Sequence, residues 1–367
     1  MKGRRLLIFI HDLAPFGAQR MALGLAQRLD KEEFPLTVCS FGADTTLEAA
    51  LRSAGAEVVV LGASRYLDLR AWGRFFGLLS GLRPAIVQTN LAELSVPVRV
   101  AALLMPGTSV VHTVQNPLSS EPWYWRILNR ASFMLCRRVI FCSEGIRAEA
   151  GCRGGRFAVV QNGIAPLPVP AEPGLRRELG IGASEDVVCC VARLARQKGQ
   201  DVLLRAFALL AAGRPGLRLL LAGDGEDEAA LRAYAAGAGL SEKVFFLGRR
   251  ADVGEVLAAS DIYAAPSRWE GFGISLGEAM LAGLPCVATG IAGHYDLLED
   301  GVTGIAVRPE DPGELAAGIA RLLDEPASAL ALAREAAARV AARFGLDGMA
   351  DGYRRNYLGV LDGERGI

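Results

Sequence analysis

Along its first half the chain alternates short apolar runs with longer stretches whose apolar positions recur at helical spacing. The runs 6–10, 36–39, 57–61, 85–88, 109–112 and 138–142 are rich in Val, Ile and Leu. That is the pattern of strands buried on both faces. Between them, 18–29, 46–53, 70–82 and 123–136 are long enough for crossover helices. The alternation predicts βαβ units around a parallel sheet.

The rhythm breaks at 161–173, where four prolines and a glycine exclude both a helix interior and a central strand. It then restarts with apolar runs at 187–191, 217–221, 244–247, 262–265, 286–288 and 304–307. From 312 to 357 the chain is rich in Ala, Leu, Arg and Glu at helical spacing, interrupted at Phe344-Gly345, which predicts terminal helices without a strand. The expected architecture is α/β: two doubly wound, Rossmann-like domains at 1–165 and 166–345, with a terminal segment at 346–367. A cleft is expected where the carboxyl ends of the strands of the two domains face each other, because such sheets bind ligands there.

Composition narrows the class. At 367 residues the chain exceeds what one core usually serves, and 51% hydrophobic with 22% charged residues excludes general disorder. The apolar run 6–10 is too short for a membrane span or signal core and is followed at once by His11 and Asp12. Seven cysteines, an odd number, show no C-x-x-C or zinc-type spacing. A cytoplasmic protein is therefore expected, without a metal site. Basic and acidic side chains number forty each, yet residues 1–170 hold 19 basic and 12 acidic ones and the remainder 21 and 28. Either the first half meets an anionic partner, such as a membrane surface, or solvated arginines are merely unevenly scattered.

Chemistry concentrates after two predicted strands. Following 262–265 comes Ser267-Arg-Trp-Glu-Gly-Phe-Gly-Ile-Ser-Leu-Gly-Glu278, where a helix opens near Ser275. Amides at such a start bind phosphate, and flanking glycines allow close approach. Glu270 lies in the loop and suits sugar hydroxyls. Glu278 has two readings, a ligand-binding group or half of a Ser275-x-x-Glu278 capping box. After 187–191, Arg193 and Lys198 stand where two cations can clamp a diphosphate, although exposed loop cations are common. Gly223-Asp-Gly225 reads only as a turn after a strand. Neither G-x-G-x-x-G nor G-x-x-x-x-G-K-[ST] occurs, which argues against a nicotinamide enzyme and a P-loop nucleotidase.

In the first half, Gly17 at the bend after the first strand allows a backbone to approach a ligand. His112 is expected at the end of its strand, as a ligand-facing or a structural histidine. The segment 123–138 mixes aromatics with arginines. It is expected to pack Ile127, Leu128, Met134 and Leu135 on the sheet, with an anionic membrane surface as the second reading.

Taken in order, Gly17-Ala-Gln-Arg20, Ser143, Asn162-Gly-Ile164, Arg193 with Lys198-Gly199, Gly223-Asp-Gly225, the Glu270-x7-Glu278 motif and Glu299-Asp-Gly-Val-Thr-Gly304 resemble the family 4 glycosyltransferases, retaining GT-B enzymes that use nucleotide-sugar donors. The resemblance covers nearly the whole chain. It implies that Arg193 and Lys198 hold the donor diphosphate, and that Glu270 with the amides of Phe272, Gly273 and Ile274 orients the sugar and its phosphate. Glu278 would bond the ribose, Gly248 and Arg249 would meet the base, Gly17 would contribute to the donor site, and His112 would stand beside the reacting sugar. The implied catalytic set is Glu270, His112, Arg193 and Lys198, without metal or cofactor. The implied partners are a nucleotide sugar and a glycan or lipid-linked acceptor, with no nucleic acid. The implied setting is envelope or exopolysaccharide synthesis. Gln19, Ala165 and Gly293-His-Tyr-Asp296 depart from the family pattern. A silent nucleotide-sugar binding or regulatory protein and a nucleotide-sugar epimerase are the competing functions.

Overall fold

The computed structural model describes residues 4–170 and 174–363; Ala171, Glu172 and Pro173 of the proline-rich stretch and the last four residues of the terminal segment lie outside the described residues. The chain divides into two compact units, Met1–Gly163 with Leu346–Ile367, and Ile164–Gly345.

The first unit alternates β1 (Leu6–Ile10), α1 (Gly17–Arg28), β2 (Leu36–Ser40), α2 (Glu48–Ser53), β3 (Glu57–Val60), α3 (Leu69–Leu82), β4 (Ile86–Thr89), α4 (Ala92–Ala102), β5 (Ser109–Val114), α5 (Trp123–Ser132), β6 (Arg138–Phe141), α6 (Glu144–Ala150) and β7 (Phe157–Val159). Its seven parallel strands lie in the order β3-β2-β1-β4-β5-β6-β7. The alternation of the sequence did not disclose α4, whose run holds three valines and an internal Pro97. Nor did it disclose β7, three half-buried residues at the sheet edge. The helix expected over 123–136 ends at Ser132 and tightens into a 3₁₀ turn at Phe133–Leu135.

The second unit runs through α7 (Leu175–Glu178), β8 (Asp186–Val191), α8 (Gln200–Ala211), β9 (Leu217–Ala222), α9 (Glu228–Gly237), β10 (Val244–Gly248), α10 (Val253–Ala258), β11 (Ile262–Ala265), α11 (Ile274–Leu281), β12 (Cys286–Thr289), β13 (Ile305–Val307), α12 (Pro312–Asp324) and α13 (Pro326–Arg343). The parallel order is β10-β9-β8-β11-β12-β13. The order reverses between β8 and β11, so the loops leaving those strands flank the crevice where a doubly wound sheet takes a ligand. The core beneath is mostly aliphatic, with Val188, Leu203, Leu219, Leu221 and Ala264 fully enclosed around Phe207.

After Gly345 the chain returns to the first unit as α14 (Leu346–Leu361). Tyr353 and Tyr357 of α14 are fully buried there, the first hydroxyl 3.3 Å from Thr113 Oγ1 and the second donating to Gln88 Oε1. Large aromatic truncations in such cores cost about 3–5 kcal/mol, so α14 is an integral part of the first unit. All seven cysteines are unpaired and buried. Among the described residues no helix is long and apolar enough to cross a membrane.

Candidate active site

In the second unit the loops after β8 and β11 are stitched into one surface. Gln197 accepts through its backbone carbonyl from the Arg268 amide at 2.8 Å, and its side chain donates to the Trp269 carbonyl at 3.0 Å. Arg268 donates to both carboxylate oxygens of Asp201 at 2.8 Å, a bidentate pair, and to the Arg196 carbonyl at 2.6 Å. Gly199, at φ 69°, lies so near Pro266 that a Cβ would fall 2.1 Å from its carbonyl oxygen. Only glycine fits there.

This stitching brings Lys198 to Glu270. The ammonium lies 2.5 Å from Glu270 Oε1, which also accepts from Ser267 Oγ at 2.9 Å. Both side chains are mostly buried. Burial works to raise the Glu270 carboxyl, but Lys198, His294 and the two hydrogen bonds outweigh it and hold the group below its ordinary value. His294 is enclosed beneath the pair, its Nδ1 2.9 Å from the Thr289 carbonyl oxygen, and burial lowers its pKa. The site therefore offers an ionised carboxylate clamped by one ammonium, with a buried imidazole beside the pair.

Next to it α11 begins. Its N-cap is Gly273 at φ 80°, which has no side chain to cap the first amides. A Cβ on Gly273 would fall 2.8 Å from His294 Cδ2, so the glycine both forms the turn and admits the histidine. Uncapped amides at a helix start attract phosphate. The capping-box reading of Ser275 and Glu278 is corrected here: the helix starts at Ile274, which puts Ser275 inside the first turn. Glu278 is buried within α11, Phe272 is buried with its ring 5.4 Å from that of Phe344, and Ile274 opens the helix.

Arg193 leaves β8 on the same loop as Lys198; its side chain is half-exposed, 4.0 Å from Glu226. Its backbone is fixed by Gln200, which donates to the Arg193 carbonyl at 2.9 Å. Gly223 and Gly225 prove more than a turn: a Cβ on either would fall 2.0 Å and 2.2 Å from the carbonyl oxygens of Ala192 and Leu194. They let the loop after β9 seat against the Arg193 loop. Gly248 closes that contact by accepting from the Gly223 amide at 2.8 Å, and Arg249 pairs with Asp224 at 3.1 Å. Thus Arg193, Lys198, Gly248, Arg249, Glu270, Phe272, Gly273, Ile274 and Glu278 belong to one unit, while Gly17 and His112 belong to the other.

In the first unit Gly17 opens α1, whose start likewise lacks a side-chain cap. His112 stands two residues inside β5 and is buried, correcting its expected place at the strand end. Its Nδ1 is 3.1 Å from Thr89 Oγ1 and 3.2 Å from Ser95 Oγ, and burial together with Arg99 holds it neutral. Arg99 is fully enclosed and donates to Asn129 Oδ1 at 2.9 Å and to Ser132 Oγ at 2.5 Å. The sequence pattern gave no signal for it, since it sits in the valine-rich helix that the pattern missed. Further polar atoms lie buried without a partner at the carboxyl edge of β1, β4 and β5: His11 Nδ1, both amide atoms of Asn90 and Gln115 Nε2. Among the described residues no three His, Cys, Asp or Glu side chains converge as metal ligands.

Glu121, beside this network, supplies a test. Burial pushes its carboxyl up to about 7, against the hydrogen bond from Asn129. A folded value above the ordinary 4.5 means that the folded state prefers the protonated acid. Stability is then greatest at low pH and declines as pH climbs from the lower value to the upper. Glu121→Gln should raise stability at about pH 8 by on the order of 1 kcal/mol, after allowing for partial exposure, and change little at about pH 5. Thermal unfolding at the two pH values checks this.

Two family models match. The one described as Glycosyltransferase Family 4 covers residues 16–166 and the one described as Glycosyl transferases group 1 covers 172–339. The 2-deoxystreptamine glucosyltransferase of Streptomyces kanamyceticus is 30% identical over 302 residues, 80% of this chain and 77% of that protein. The D-inositol 3-phosphate glycosyltransferase of Segniliparus rotundus is 35% identical over 194 residues, which span 51% of this chain and 43% of that protein. Anabaena HepE, solved in complex with UDP-glucose, superposes with a TM-score of 0.84 at 25% identity, covering 98% of this chain and 99% of that one.

Proposed function

This chain belongs to the family 4 glycosyltransferases, and we propose that it is a retaining, metal-independent enzyme that moves a sugar from a nucleoside diphosphate to a hydroxyl of a glycan or lipid-linked acceptor. The observation that carries this reading is the Lys198–Glu270 pair lying beside the uncapped start of α11. A phosphate at those amides has Lys198 and Arg193 as counter-charges, which is the stabilisation a departing diphosphate requires. Glu270 then faces sugar hydroxyls, Glu278 the ribose, and Gly248 with Arg249 the base. The likeness to HepE favours a uridine nucleotide as the donor class.

In the reaction the anomeric C–O bond to the phosphate breaks while the acceptor oxygen bonds to the same carbon on the same face. The acceptor's proton passes to the leaving phosphate oxygen, and the sugar keeps its configuration. Fixed cations and amides supply charge stabilisation at the leaving group. His112, neutral, with the unpartnered amide of Asn90 and the unpartnered Nε2 of Gln115, suits the hydroxyls of the acceptor and the reacting sugar. The excess of basic residues in the first half suits an acceptor presented at an anionic membrane.

Incubation with UDP-glucose and an acceptor panel tests the reading. An α-linked product at a rate unaffected by EDTA is expected. A β-linked product would refute retention, and loss of turnover on chelation would refute metal independence.

A further inference from the structure

The helix α5 is amphipathic in the wrong direction for a packing helix. Of its ten residues only Asn129 is buried. At about 100° per residue, Trp123, Tyr124, Ile127 and Leu128 share one arc, while Trp125, Asn129 and Ser132 share the opposite one, turned toward α4. The protein-facing arc is held through its polar members, by the hydrogen bonds from Arg99 to Asn129 and Ser132 beside Trp125. The apolar arc is in water, with Trp123 67% exposed. This overturns the expectation that Ile127, Leu128 and Met134 pack on the sheet, since all three are exposed. The end of α4 and the turn after it continue the same character: Val100, Leu103 and Leu104 are exposed, the last at 84%, as is Met134 at 72%.

Scattered apolar residues on a surface need no explanation, but eight large ones along two adjoining helices and the turns that follow them do. The charge around them identifies the occupant. Between Glu93 and Glu144 the sequence holds five arginines and one acidic residue, Glu121. Arg126 and Arg130 border the apolar arc of α5. Beside Met134 a groove is lined by Arg130, Arg153 and Arg156 with Phe133 and Phe157, and no acidic side chain lines it. A second copy of the chain on this face would bring arginines toward arginines. An anionic bilayer supplies what both parts lack, an apolar interior for the aromatics and phosphates for the guanidinium groups.

We infer that α5, the end of α4 and the adjoining arginine groove form a membrane-docking face, which inserts its aromatic and aliphatic side chains at the interface of an anionic phospholipid bilayer and binds a headgroup phosphate in the groove. The face rests on the reading that this enzyme meets its acceptor at an anionic membrane, and it names where.

Co-sedimentation of the full chain with phosphatidylcholine vesicles, with and without phosphatidylglycerol, tests it. The wild type should favour the phosphatidylglycerol vesicles. Arg130→Gln with Arg153→Gln should lower that binding roughly thirtyfold, the expected weight of two cations at the surface. Trp123→Ser with Ile127→Ser should lower it at least tenfold by removing about half of the apolar anchor of α5. Hydrolysis of the donor in solution should be unchanged in every variant, which controls for folding. Undiminished binding by both variant pairs would overturn this face while leaving membrane attachment intact. No preference for anionic vesicles by the wild type would overturn both. A concentration-dependent dimer abolished by Trp123→Ser, without vesicle binding, would assign the face to a second copy and overturn the inference.

Discussion

Lys198→Ala should lower kcat/KM for sugar transfer by about three orders of magnitude, the loss expected on removal of a fixed donor from the charge developing in a transition state. The same substitution has a structural cost, because Glu270 is mostly enclosed and loses its cation. Breaking a buried pair from one side costs about 3–5 kcal/mol. In the wild type the Glu270 carboxyl is held low, so its contribution to stability is present above the ordinary carboxylate value and is lost as pH falls through the depressed one. Without Lys198 the largest influence that lowers it is gone and burial remains, so the sign reverses and the variant should lose stability as pH rises. Adding Glu270→Gln removes the stranded charge. The double variant should recover most of the unfolding midpoint and none of the activity. Recovery of activity along with stability would reduce the pair to a scaffold element and remove Lys198 from the chemistry. Calorimetry and steady-state kinetics on the single and double variants separate the two contributions.

The parts of this site that the sequence disclosed are those announced by local spacing. Buried parallel strands read as apolar runs, and the residues just after each run fall at the carboxyl edge of the sheet, so Arg193 and Lys198 on one loop and Glu270 on another could be assigned to that edge, whereas the adjacency of the two loops comes from the strand order. The family resemblance added their roles. Two kinds of information were missing. The first is direction: the apolar positions of α5 have ordinary helical spacing, and nothing in their period says that they turn outward. That outcome is decided by Arg99, whose burial draws the polar arc of α5 inward. Arg99 belongs to a helix hidden by its valines and Pro97, so neither half of the arrangement was visible alone. The second is long-range backbone contact. Gly223 and Gly225 looked like a turn because spacing cannot reveal that another loop's carbonyl groups lie against them. The start of α11 was misplaced for a related reason, since Gly273 at positive φ ends the loop two residues earlier than the serine-glutamate pattern suggested.

Gly293 is the sharpest case of such a contact, and it stands in the segment where the chain departs from the pattern of its family. A Cβ built on it would lie 2.2 Å from the Glu270 carbonyl oxygen, 2.5 Å from its carbonyl carbon and 2.9 Å from its Cβ. Backbone atoms cannot swing aside as a flexible side chain can, so Gly293→Ala must push apart the two segments that meet there. Glu270 would move relative to Lys198, and His294, the next residue, would move beneath them. Displacement of a positioned group by about 1 Å costs on the order of 10²-fold in rate. A drop of that size in kcat/KM is expected, together with a lowered unfolding midpoint. Gly283 provides the control. It adopts φ 79°, yet nothing lies within 4 Å of a Cβ built on it. Gly283→Ala should therefore carry only the strain of a left-handed alanine, about 1 kcal/mol, and keep the KM for the donor. If both alanine variants lose stability equally and Gly293→Ala retains full turnover, then the close approach of these backbones is not what fixes Glu270. A selective loss in Gly293→Ala would show that the geometry of the donor site depends on a residue with no side chain to offer it.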